Sequence, residues 1–156
     1  MRILISLYSK PMRNGAQSPK DYPYAQELVD ALSCAGHDIV QTVYGGEPSL
    51  RGAVVMRGKS LREIEQLLRE CDVFICVDTY LQHMAHYLGI RGIVLFALSD
   101  PEYFGYHENV NLFADRKYFR EFQFQPWEMA VPCADAFVKP NDVLVALTEF
   151  MKKGVS

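Results

Sequence analysis

Along the chain, short unbroken apolar runs alternate with longer stretches whose apolar residues recur every three or four positions. The first run spans Arg2 to Leu7. Further runs cover Asp38 to Tyr44, Val73 to Val77 and Ile93 to Phe96, with shorter ones at Val54 to Met56 and Val110 to Phe113. Runs of this length, rich in Val and Ile, predict strands covered on both faces, as in parallel sheets. The intervening stretches predict helices. Tyr24, Leu28, Ala31 and Leu32 share one face after Pro23, and Gly36 closes that helix. Ser60-Leu61-Arg62-Glu63 reads as a capping box, and the helix behind it is expected to bury Leu61, Ile64, Leu67 and Leu68. Leu81, Met84, Ala85 and Leu88 mark a third helix stopped by Gly89. Val143, Leu144, Leu147 and Phe150 line a closing helix that starts at Pro140 and ends by Gly154.

The pattern is densest between Cys71 and Gly92, where strand, tight turn and helix follow in sequence before the strand at Ile93. That is a parallel βαβ unit. Such units set a helix N-terminus beside the carboxyl end of a strand, the edge where ligands of α/β sheets bind. Asp78, Thr79 and His83 fall at that edge. The expected architecture is a three-layer α/β sandwich, Rossmann-like, around a doubly wound parallel sheet of about six strands. It is one domain over residues 1–156, with no repeat, linker or low-complexity segment. Residues 8–21 form a long polar loop carrying Lys10, Arg13 and Lys20, and loops of this length after a strand are usually functional or mobile. The segment from Ala114 to Ala134 is irregular and aromatic, and reads as a packed loop over one sheet edge.

Composition narrows the classes of function. A chain of 156 residues buries roughly 70% of its unfolded surface as one domain. A net charge of −3 gives no footprint for nucleic acid or an anionic membrane. No apolar stretch approaches the length of a membrane span, and residues 1–5 are too short for a signal sequence, so a cytoplasmic location is expected. Cys34, Cys71, Cys76 and Cys133 lack metal or redox spacing and read as reduced structural thiols.

Several chemistries lack their motif. No G-x-G-x-x-G follows the first strand, and there is no Walker loop or G-x-S-x-G elbow. His83 and His86 lie three apart on a helix, but no third metal ligand accompanies them. Anion binding remains. The first turn after Asp78 offers free N–H groups and a positive dipole end. His83 and Thr79 can donate to a phosphate there, and Lys20 would reach the same edge. Gly45-Gly46-Glu47 allows close backbone approach beside a carboxylate suited to a ribose diol, although such a triplet is more often only a turn.

Together these residues carry a resemblance. Asp78 to Gly89 resembles the D-[ST]-G-x-x-H-[LM]-A-x-x-[LM]-G signature of glycosyltransferase family 9, the heptosyltransferases. Lys20-Asp21-Tyr22-Pro23 is similar to the family's K-x-W-P, and Gly45-Gly46-Glu47 to its G-G-acidic turn. Ser60 to Ile64 resembles its S-L-x-E-[LI] helix start, and Phe96 to Pro101 its F-G-x-[ST]-x-P loop. The similarity covers nearly the whole chain but only the family's C-terminal, donor-binding half of a GT-B fold. By that resemblance, Lys20, Thr79, Leu81 and His83 surround a diphosphate, Glu47 meets the ribose and Met56 lies near the base. Asp78 orients the turn, and Ser99 joins it from the loop after the fifth strand. The family's glycine after D-[ST] is Tyr80 here, a side chain that crowds a phosphate unless it swings aside, the alternatives being that it covers the ligand or stacks on a ring.

The expected function is metal-independent glycosyl transfer from a nucleotide-diphosphate sugar, with no cofactor and with acceptor binding supplied by a companion chain or a second copy. The alternatives are a nucleotide or nucleotide-sugar binding module without turnover, and a degenerate half-enzyme serving as scaffold.

Overall fold

The computed structural model describes residues 1–153, so the expected stop at Gly154 lies outside the described residues. Six strands form one parallel sheet: β1 (Arg2–Ser6), β2 (Asp38–Val43), β3 (Val54–Arg57), β4 (Val73–Val77), β5 (Ile93–Leu95) and β6 (Val110–Leu112). Their spatial order is β3-β2-β1-β4-β5-β6. Five helices accompany them: α1 (Ala25–Cys34), α2 (Leu61–Glu70), α3 (Tyr80–Tyr87), the short α4 (Pro101–Phe104) and α5 (Pro140–Lys153). The order is that of a doubly wound Rossmann-type sheet, and the winding reverses between β1 and β4.

Alternation along the strands builds two cores. Ile3, Ile5, Ile75, Val77 and Leu95 face α1 and α5, meeting Leu28, Leu32, Val143 and Leu147. Leu4, Phe74, Cys76 and Val94 face α2 and α3, meeting Ile64, Leu68, Leu81 and Ala85. This is the period of two expected of pleated strands, with both sets apolar because both faces are covered. The result is a three-layer α/β sandwich.

Helix ends follow local chemistry. The Ser60 hydroxyl accepts from the Glu63 N–H at 3.3 Å, and the Glu63 carboxylate accepts from the Ser60 N–H at 2.9 Å, completing the capping box of α2. Gly36 and Gly89, just past the ends of α1 and α3, have φ of +82° and +68°, where a side chain is strained. The loop expected after the fifth strand contains α4, which Asp100 caps by accepting from the Glu102 N–H and Pro101 opens.

Two expectations are corrected. Leu61 is 66% exposed rather than buried, because the first residue of α2 points across the carboxyl edge instead of down onto the sheet. The aromatic segment after β6 is only partly packed. Tyr118 and Trp127 rest on the α1/α5 core, while Phe122 and Phe124 stand exposed. Its anchors are at the carboxyl end of β5: Arg120 N–H donates to Leu98 O at 2.9 Å, and Arg116 pairs with Asp100 at 2.8 Å. All four cysteines are free thiols, and Cys76 is buried in the α2/α3 core.

Gly92 illustrates how tightly that core is fitted. A Cβ there would lie 2.5 Å from the Phe74 ring. Gly92→Ala is expected to destabilise the protein by about 1–3 kcal/mol in urea denaturation. Gly46→Ala, with nothing within 4 Å of the added carbon, is expected to change stability far less. Acid titration provides a second test. The capping hydrogen bonds from Ser60 hold the Glu63 carboxyl down from its ordinary 4.5 to about 2. A depressed carboxyl stabilises the fold above its unfolded pKa, and that contribution is lost as pH falls through the folded value. The melting temperature of Glu63→Gln should therefore lie below wild type at pH 6 and converge with it by about pH 2.

Candidate functional site

A cleft of about 900 Å³ opens at the carboxyl edge of the sheet, over the ends of β1, β2 and β4. The reversal of winding between β1 and β4 makes it: the connections leave in opposite directions and part the loops. From β1 and its following loop come Ser6, Tyr8, Lys10 and Lys20. The end of β2 adds Tyr44, Gly45, Gly46 and Glu47. Lys59, Ser60 and Leu61 enter from the start of α2, and Asp78, Thr79, Tyr80 and His83 from the β4–α3 turn.

At its centre is an ion pair. Lys20 Nζ donates to Asp78 Oδ2 at 2.8 Å and to the Asp78 carbonyl at 3.3 Å. The Asp78 side chain is only 8% exposed, and further donors complete its shell. Gln82 Nε2 donates to Oδ1 at 2.6 Å, and the Ser99 hydroxyl to Oδ2 at 3.3 Å. The Lys20 ammonium also lies 4.8 Å from the ring centroid of Trp127, whose ring is packed by the Arg120 guanidinium at 4.2 Å. Cation–π contacts of this kind pin the ammonium at the start of α3.

The other groups divide by orientation. Tyr80 swings away from the helix end: its ring meets Tyr44 edge-on at 5.7 Å and its hydroxyl bonds the Tyr44 hydroxyl at 3.0 Å. Burial raises the Tyr80 phenol above its ordinary value, so it stays neutral. Glu47 accepts from the Tyr44 N–H at 3.0 Å, and partial burial raises its carboxyl pKa. Thr79 caps α3 without a side-chain bond, and its hydroxyl is turned inward with no hydrogen-bond partner. His83 is exposed on the rim, with Nδ1 2.9 Å from the Tyr106 hydroxyl.

Six of the nine residues singled out from the sequence, Lys20, Glu47, Asp78, Thr79, Tyr80 and His83, therefore line one cleft. Ser99 stands behind it as a ligand of Asp78. Leu81 is fully buried among α2 and the sheet, leaving only its backbone toward the helix start, and Met56 packs against the same core. Neither lines the cleft. Sequence reading missed Gln82, Trp127, Lys59 and Tyr106. Gln82 was detectable as a polar residue on the inward face of α3, but the others reach the site only through folding. Among the described residues, no three His, Cys, Asp or Glu side chains converge to hold a metal ion.

The sequence profile of glycosyltransferase family 9 (heptosyltransferase) matches residues 20–125, from the cleft lysine to the aromatic segment. The chain belongs to glycosyltransferase family 9. The family assignment is echoed in the fold. Two crystal structures of the iron-containing dodecameric glycosyltransferase TibC superpose on 92% of this chain at 16% identity. One, described as a heptosyltransferase in complex with ADP-D-beta-D-heptose, gives a TM-score of 0.59, and the other, from enterotoxigenic E. coli H10407, gives 0.60. This family 9 chain spans 36% and 38% of their lengths. No curated protein sequence matches it. No helix among its described residues is long and apolar enough to cross a membrane.

The ion pair makes a stability prediction. Lys20→Met leaves a nearly buried carboxylate with one donor fewer, and should cost about 2 kcal/mol in urea denaturation. Asp78→Asn should relieve part of that loss, so the double variant Lys20→Met/Asp78→Asn falls short of the sum of the single effects by at least about 0.5 kcal/mol.

Proposed function

We propose that the cleft binds a nucleotide-diphosphate sugar, and that the chain supplies the donor side of a metal-independent glycosyl transfer. The observation that carries this reading is the Lys20 ammonium held beside the start of α3, inside the cleft at the switch point. An anion there meets a fixed cation and the positive end of a helix, both in place before it arrives. In transfer, the bond between the anomeric carbon and the β-phosphate oxygen breaks as an acceptor oxygen bonds that carbon. Charge then collects on the departing diphosphate, where Lys20 and the first-turn N–H groups of α3 stabilise it. Glu47 stands at the end of β2, where it can accept from a ribose diol. Tyr80, drawn off to Tyr44, leaves the helix start open and forms an aromatic wall of the cleft.

Acceptor binding and the base that takes its proton come, in this reading, from a companion chain or a second copy. Asp78 is tied to Lys20, Gln82 and Ser99 and cannot serve as that base without breaking the pair. The same saturation favours a second reading, a nucleotide or nucleotide-sugar binding module that does not turn over.

Thermal-shift measurements with ADP, UDP, GDP and their sugars test both. Ligand at about 100 times its dissociation constant should add about 2.7 kcal/mol of stability. Lys20→Ala should weaken binding by about 1–3 kcal/mol, the value of a charge-assisted bond. The absence of a shift with every nucleotide overturns both readings. Nucleotide released from a bound donor in the presence of an acceptor supports transfer, and binding without release supports the module.

A further inference from the structure

His83 stands on the rim of the cleft with one ring nitrogen already engaged, which raises the question of what the other presents. We propose that Tyr106 is a positioning residue for the cleft, holding His83 in the tautomer that offers Nε2–H to an anion. The inference rests on the reading of the cleft as a diphosphate site and deepens it by specifying one donor.

The Tyr106 hydroxyl lies 2.9 Å from His83 Nδ1, with the two rings edge to face at 82°. An imidazole nitrogen is a better acceptor than a phenol oxygen, and a phenol is a good donor. The bond therefore runs from Tyr106 O–H to an unprotonated Nδ1, which puts the imidazole proton on Nε2. That nitrogen has no protein partner among the described residues.

Tyr106 is itself held at its ring and at its carbonyl. Its ring stacks on His86 at a centroid distance of 3.8 Å and an angle of 12°. His86 Nδ1 is bonded in turn to the Glu108 carboxylate, which fixes the plane of the stack. From behind, Asn111 Nδ2 donates to the Tyr106 carbonyl at 2.9 Å. The preceding Gly105 makes that approach feasible, since a Cβ there would lie 2.7 Å from the Pro101 carbonyl and 3.0 Å from Asn111 Nδ2. The loop after α4 thus delivers one hydroxyl to one histidine nitrogen. A side chain on the rim, with freedom to rotate and to exchange tautomers, becomes a directed donor at reduced entropic cost to binding.

Nitrogen NMR of the full chain at about pH 8.5, above the ordinary imidazole pKa of about 6.5, reads the tautomer directly. Wild type should show His83 with Nε2 protonated and Nδ1 as acceptor. Tyr106→Phe, which keeps the ring and its stack, should give a mixture of tautomers. His86→Phe, which preserves an aromatic surface under Tyr106, should retain the wild-type pattern, while His86→Ala should lose it. In ADP titrations, Tyr106→Phe should weaken binding about three- to ten-fold, and should add nothing in a His83→Ala background. A wild-type His83 protonated on Nδ1, or a spectrum unchanged in Tyr106→Phe, overturns the proposal. If no nucleoside diphosphate binds wild type, the donor reading falls, and the anion falls from this proposal with it; the spectrum then decides the tautomer role alone.

Discussion

A carboxylate buried at the end of a central strand has to be satisfied by its neighbours, and Asp78 sets this constraint for the whole carboxyl edge. With its side chain 8% exposed, it requires donors, and they come from different parts of the chain. Lys20 arrives from the loop after β1, Gln82 from α3, and Ser99 from the loop after β5. Leaving any of these places empty would leave a charge in a medium that solvates it poorly. The same bonds that satisfy Asp78 therefore fix the relative positions of three connections, and the cleft is what remains between them.

That arrangement explains why a lysine belongs at this point. A free ammonium on a fourteen-residue loop would have to be ordered anew by each ligand. Here it is held by a carboxylate, a carbonyl and the face of Trp127 before anything binds. The strap that carries Trp127 is in turn secured to the end of β5 through Arg116 and Arg120. Electrostatic preorganisation of this type lowers the reorganisation needed when charge develops on a leaving group. The replacement of the family's glycine by Tyr80 is accommodated without closing the helix start, because the Tyr44 hydroxyl and ring offer the larger side chain a place against β2.

A cleft built from one domain is open on the side away from the sheet. TibC, with which this chain shares its fold, is more than twice as long, and this chain matches only part of it. Proximity and water exclusion account for much of the rate of group transfer, and both need a second wall. The cleft's cation, helix end and carboxylates, by contrast, all lie within the family-matched stretch that begins at Lys20.

The amino-acid pattern determined the α/β class, all six strands and the capping box of α2, because strand period, buried runs and capping are local properties. It also identified Asp78, Thr79 and His83 as edge residues, since a strand-turn-helix junction is readable from a few consecutive positions. What it did not determine was pairing across the chain. Leu61 had the spacing of a core residue and is exposed, because the direction of α2 at its first turn depends on where the sheet edge ends. Trp127 read as part of a packed aromatic segment, and Tyr106 carried no signal of its own. Only the fold brings one over Lys20 and the other onto His83, 107 and 23 positions away in sequence. The shell of Asp78 likewise joins residues 58 and 21 positions apart. Such contacts are decided by the strand order β3-β2-β1-β4-β5-β6, a property of long-range packing that no local stretch of sequence encodes.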